Sequence, residues 1–155
     1  MGLQFLKVAC VIQLACGTAY AQHPDEPHPI LFETLIKNDS HFHRSESGFI
    51  VLRGPGDESA FLSTFFPRPS LPEVDYFSQM VLGVCGGVRS MTGHSIEIDE
   101  IIEGANVVIV YYTDFQPTLG FAYQSWPIHL VAIPRTKLPV EFRGRVVIEN
   151  ERKQP

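Results

Sequence analysis

Cysteine is scarce in this chain of 155 residues, which has three. Two of them, Cys10 and Cys16, fall in an amino-terminal segment that reads as removable, so only Cys85 belongs to the part expected to fold. That excludes an intramolecular disulfide framework and leaves stability to the core. Basic charge is also short: twelve Lys and Arg stand against seventeen Asp and Glu, a net charge of −5. Such a chain has no basic footprint for nucleic acid, and nothing draws it to anionic headgroups. Beyond the amino-terminal segment, no stretch is long or apolar enough to cross a bilayer as a helix. Catalytic signatures are missing as well. There is no G-x-S-x-G elbow, and the corner at Gly86-Gly87 lacks the Lys-Ser/Thr of a phosphate loop. Ser95 follows His94 directly, and neighbours in a strand point to opposite faces. Cys85 sits in an apolar run that favours the protonated thiol. These absences argue against an enzyme.

The amino terminus is informative. Lys7 is the only charge before Asp25, Val8 to Ala19 is largely apolar, and Ala19-Tyr20-Ala21 is a small-x-small site. Residues 1–21 therefore read as a signal peptide, and the chain as exported to the periplasm or beyond the cell. A rival reading anchors the protein by lipid through Cys16, but the residue three before it is the polar Gln13, so cleavage after Ala21 is favoured. Residues 22–29, QHPDEPHP, form a flexible lead-in. Residues 30–148 suit a single domain, and 149–155 read as a frayed charged tail.

The domain is organised around Val74 to Ile102. Met80 to Val84 is an unbroken apolar run, the pattern of a strand buried on both faces. Ile96 and Ile98 then alternate with Glu97 and Asp99, as in a strand with one wet face. Further strands are expected over Ile30–Ile36, Gly48–Arg53, Val107–Thr113, Ile128–Ile133 and Val140–Ile148. On Ile30–Ile36 the spacing puts Ile30, Phe32, Thr34 and Ile36 on one face. Glu103 to Asn106 is a hairpin turn, and Pro117 falls in a loop from Asp114 to Gly120. One short helix is predicted, Glu58 to Phe66, capped by Asp57 and closed by Pro67. About seven strands and one helix, with loops too short for repeated βαβ crossovers, define an α+β domain with a mainly antiparallel sheet.

Two groups of side chains invite a functional reading. His41-Phe42-His43 would put two imidazoles on one strand face, the start of a metal site, but no third or fourth ligand accompanies them and no metal or cofactor is expected. Tyr111-Tyr112, Phe115, Phe121, Tyr123 and Trp126 flank the loop from Asp114 to Ser125. They either close the ends of the sheet or anchor a protein interface.

The central and carboxyl-terminal stretches resemble the PrcB-like family of protease-complex stability proteins. The residues that carry the resemblance are Val74-Asp75-Tyr76, Met80 to Gly83, Gly87, Arg89, Gly93, Ser95-Ile96 and Ile98. Pro117, Ser125 to Val131 and Ile133-Pro134 follow, so the match covers about Val74 to Pro134. Thr92-Gly93-His94 replaces a turn that in the family carries two glycines and an aromatic, and Tyr76, Trp126 and Ile128 also depart from the family pattern. The resemblance implies a non-catalytic, exported domain that binds and stabilises another exported protein, for which a subtilisin-type protease is the family precedent. The candidate binding edge is the turn from Arg89 to His94, with Arg89, Thr92 and His94, together with Pro117, Trp126 and His129. His129 has a second reading, as a structural side chain bonded inside the sheet. Alternative functions are a protease inhibitor with an exposed loop, or a small metal-binding protein.

Overall fold

The computed structural model describes residues 26–149 apart from Ser40 and Phe66. The expected signal peptide at 1–21, Cys16 of the rival lipid-anchor reading, most of the lead-in and the tail from Asn150 lie outside the described residues. Eight strands and one helix are present among the described residues: β1 (His28–Pro29), β2 (Glu33–Lys37), β3 (Ser47–Leu52), α1 (Pro55–Leu62), β4 (Gln79–Gly86), β5 (Ser95–Glu103), β6 (Val108–Pro117), β7 (Ile128–Pro134) and β8 (Val140–Glu149). They form two four-stranded sheets, ordered β1-β5-β6-β8 (sheet A) and β2-β7-β4-β3 (sheet B). Every pairing is antiparallel except β6 with β8. The chain is thus a single α+β domain, mainly β.

Sheet B is the middle layer. On one side Val81, Cys85, Ile128 and Leu130 pack with Phe61 and Leu62 of α1 and with Phe42 and Phe65. On the other, Met80, Leu82, Val84, Val131 and Ile133 meet Ile96, Ile98, Ile101, Val108 and Val110 of sheet A. Alternate residues of β4 and β7 therefore feed two different cores, which is why both segments read as continuous apolar runs. Cys85 is buried in the first core, and burial pushes its thiol pKa up.

Several boundaries move, each for a local reason. The helix starts at Pro55, because proline at the first turn has no N–H to lose and a preset φ. Asp57 is not its cap; its carboxylate instead accepts the N–H of Arg53 at 2.8 Å. β2 is shorter than expected and carries a bulge between Thr34 and Ile36. The extra residue sends Leu35 and Ile36 toward the α1 side, while Ile30 and Phe32 pack between the sheets. A second bulge, between Ile98 and Glu100, makes Ile101 the next buried residue of β5. His28 and Pro29 of the lead-in pair with Glu103 and Ile102. Pro117, expected in a loop, is the last residue of β6, opposite Glu149.

Candidate partner-binding surface

Pairing directions bring three connections to one end of the sandwich. β2 ends and β7 begins there, with Lys37 opposite His129, and β3 begins where β4 ends, with Ser47 opposite Gly86. Residues 38–46, 87–94 and 118–127 are the connections. The second and third are stitched together by backbone bonds. Arg89 and Ser125 form an antiparallel bridge, the Arg89 N–H donating at 2.8 Å and the Ser125 N–H at 3.1 Å. The Thr92 N–H donates to the Phe121 carbonyl at 3.0 Å, and the Phe121 N–H donates back to Thr92 Oγ1 at 3.1 Å. The Ser125 hydroxyl donates to the Met91 carbonyl at 2.9 Å.

Glycine makes this close approach possible. A Cβ on Gly120 would lie 2.4 Å from the Thr92 carbonyl oxygen. Gly93 has φ +94°, so the turn at Thr92-Gly93-His94 keeps a left-handed position, and it packs against the ring of Pro117. Held at both ends, residues 118–124 project three apolar side chains. Leu119 is 68% exposed, Phe121 84% and Tyr123 70%. The other aromatics behave differently: Tyr111, Tyr112, Phe115 and Trp126 are half-buried.

Beside the loop lies a groove of about 240 Å³ lined by Asn38, Asp39, His43, Thr92, His94 and Trp126, among others. The His43 ring stacks on Trp126, with centroids 4.1 Å apart and planes 20° from parallel. A neighbouring hollow of about 440 Å³ shares Asp39 and His43 and adds His41 and Arg68. The Asp39 carboxylate accepts the backbone N–H of His41 at 2.8 Å and bonds its ring at 2.7 Å, which together lower its pKa. His41 and His43 are thus turned to different partners. Among the described residues no group of three or more His, Cys, Asp and Glu side chains is placed to hold a metal ion.

Under the turn, Arg89 pairs with Asp114 at 2.8 Å, and Gln116 donates to the same carboxylate oxygen at 3.2 Å. Burial and then the Arg89 charge lower the pKa of His94, against the pull of Asp114. Arg89, Thr92, His94, Pro117 and Trp126 therefore lie together at this end.

His129 does not join them. It is 2% exposed and points between the sheets, where Nδ1 accepts the Ile98 N–H at 2.7 Å and Nε2 bonds Thr34 Oγ1 at 3.1 Å. A side chain enclosed in this way presents nothing to a partner, so the structural reading of His129 replaces the binding one. The sequence-based candidates also omit Asn38, Asp39 and His43, whose loop lies some eighty positions from Trp126. The polar pair Asn38-Asp39 reads as a turn in the sequence but carries no sign of which end of the sheet it joins.

Comparison with protein-family models, with curated proteins and with solved structures gives no match.

Proposed function

We propose that this is an exported accessory protein that binds another exported protein through the loop at residues 118–124 and stabilises it, with no chemistry of its own. One observation carries the reading: two aromatic side chains and a leucine stand in water on a loop whose backbone is tied down on both sides. Aromatic anchors bury large areas on binding, and a loop that is already ordered loses little entropy when it docks. The amino-terminal leader and the resemblance to the PrcB-like family support export and a protease as partner class. A partner that binds only the native state stabilises it in proportion to the logarithm of its concentration over Kd. The same tethered loop favours a second reading, a protease inhibitor.

Incubating the purified protein with a subtilisin-type protease separates the two. A stabiliser lengthens the half-life of protease activity at raised temperature and leaves the initial rate unchanged. An inhibitor lowers the initial rate in proportion to dose. No effect on either quantity, together with no exported protein captured from the envelope or secreted fraction, would remove the proposal.

A further inference from the structure

Four strands lie at sheet edges, and three are short or interrupted. β1 has two residues and ends in proline, β2 has five and a bulge, and β3 has six. β8 runs for ten residues in one unbroken register with β6, from Val140 opposite Val108 to Glu149 opposite Pro117. β6 is its only strand neighbour among the described residues, so alternate N–H and C=O groups point outward along its length.

Charged side chains usually guard such an edge; here they lie along the outer face of sheet A, with the Arg145 side chain still 72% exposed. Arg143 clasps Glu141 at 3.0 and 3.2 Å, and Arg145 Nε donates to Thr113 Oγ1 at 2.9 Å. Even-numbered residues of β8 face the inter-sheet core, and Phe142 stacks on Phe49 of β3 at 4.5 Å. β3 begins at Ser47, only two residues from Phe49, so among the described residues no strand faces the end of β8. Val146 and Ile148 are consequently 60% and 64% exposed.

The uncovered end reads Arg145-Val146-Val147-Ile148-Glu149, basic at one terminus, acidic at the other and aliphatic between. We infer that β8 pairs with β8 of a second copy, antiparallel about Val147, joining the two A sheets across a symmetric dimer. This register sets Arg145 opposite the position of Glu149 at both ends, Val146 opposite Ile148 twice, and Val147 on the axis. Opposite charges and aliphatic pairs directly across a ladder stabilise it, whereas a parallel in-register pairing would set like charges together. Self-complementarity of this kind is what a two-fold interface requires.

Sedimentation equilibrium of the purified protein tests the pairing, with Arg145→Glu and Glu149→Lys as variants. The native protein is expected to be a dimer and each variant alone a monomer. Mixing the two variants in equal amounts restores the dimer, because the altered charges then face each other and the native pair is kept at the other end. Should Arg145→Glu lose its fold with its contact to Thr113, Glu149→Lys alone still decides. A monomeric native protein overturns the inference, as does a dimer whose mass neither variant changes. A monomer whose variants lose an exported partner instead assigns β8 to a foreign strand, and also overturns it.

Discussion

Nδ1 of His129 accepts the backbone N–H of Ile98 at 2.7 Å, a hydrogen bond that runs from sheet B to sheet A. It is one of three links in a row. Asn38 Oδ1 accepts the Ile96 N–H at 3.2 Å, and Lys37 pairs with Glu97 at 2.6 Å. Asn38 reaches this position from a left-handed backbone conformation, φ 51°. The side of β5 away from β6 is thereby closed by side chains of sheet B where β1 does not reach, and the sandwich gains a seam without a strand.

This seam predicts a dependence of stability on pH. Because a backbone N–H donates to Nδ1, the neutral imidazole carries its proton on Nε2, which donates to Thr34. Burial, and then the Lys37 charge, push His129 from 6.5 down to about 4, against Glu97 and Asp99. Below pH 6.5 the unfolded chain takes up a proton that the folded one refuses, so stability rises with pH across the window from 4 to 6.5. The contribution is complete above that window and lost below it. Its full size is about 2 kcal/mol, allowing for relaxation of the site. Urea titrations at pH 7 and pH 4.5 should show the loss.

Substitution at the same position separates the hydrogen bond from the charge. His129→Leu strands the Ile98 N–H in the core and should cost about 1–3 kcal/mol at pH 7. His129→Asn offers an acceptor near the place of Nδ1 and does not titrate. It should keep more of the stability and flatten the acid slope. Equal losses for the two variants would show that the acceptor is not what matters.

The middle layer is sensitive to volume. A Cβ on Gly83 would lie 2.2 Å from Leu130 Cδ2 and 3.0 Å from the His129 carbonyl oxygen. Gly83→Ala therefore has to push the buried Leu130 side chain aside, and overpacking of this kind costs about 1–3 kcal/mol. Thermal unfolding followed by circular dichroism measures it. A melting temperature equal to that of the native protein would mean that sheet B is looser than its contacts indicate.

Much of this arrangement was legible in the residues, and the gaps have physical causes. The unbroken run at Met80–Val84 announced a strand buried on both faces, Ile128–Ile133 announced a strand without its burial, and the alternation at Ile96 and Ile98 announced the inward face of β5. Hydrophobic pattern reports burial along a strand but not which strands meet. The parallel pairing of β6 with β8, across a connection that passes through the other sheet, left no mark in the sequence. Bulges at Leu35 and Asp99 are set by long-range pairing and by contacts such as that of His129 with Ile98. Of the candidate site, the grouping of the Arg89–His94 turn with Pro117 was an expectation from the family resemblance, and the contact that joins them is Gly93 against the Pro117 ring. The stacking of His43 on Trp126 was not readable, since it depends on two loops far apart in the chain arriving at one end.

Loop rigidity can be tested apart from loop chemistry. Gly120→Ala puts a methyl against the Thr92 carbonyl and should break the pair of bonds between Thr92 and Phe121. The effect is expected to stay local, with amide exchange at Phe121 and Tyr123 accelerated and that of β4 and β7 unchanged. Partner binding should weaken although Leu119, Phe121 and Tyr123 are all retained. Undiminished binding with faster exchange would show that order in the loop contributes nothing.

The most direct test is site-specific photo-crosslinking in the intact organism's exported fraction, from a reactive group at position 123. A control group sits at position 77, whose phenylalanine is more exposed than Tyr123 and lies outside the three clustered connections. The account predicts one discrete crosslinked protein at position 123, none at 77, and loss of the product with Phe121→Ala at an unchanged melting temperature. The same product from both positions, or its persistence in Phe121→Ala, would contradict it.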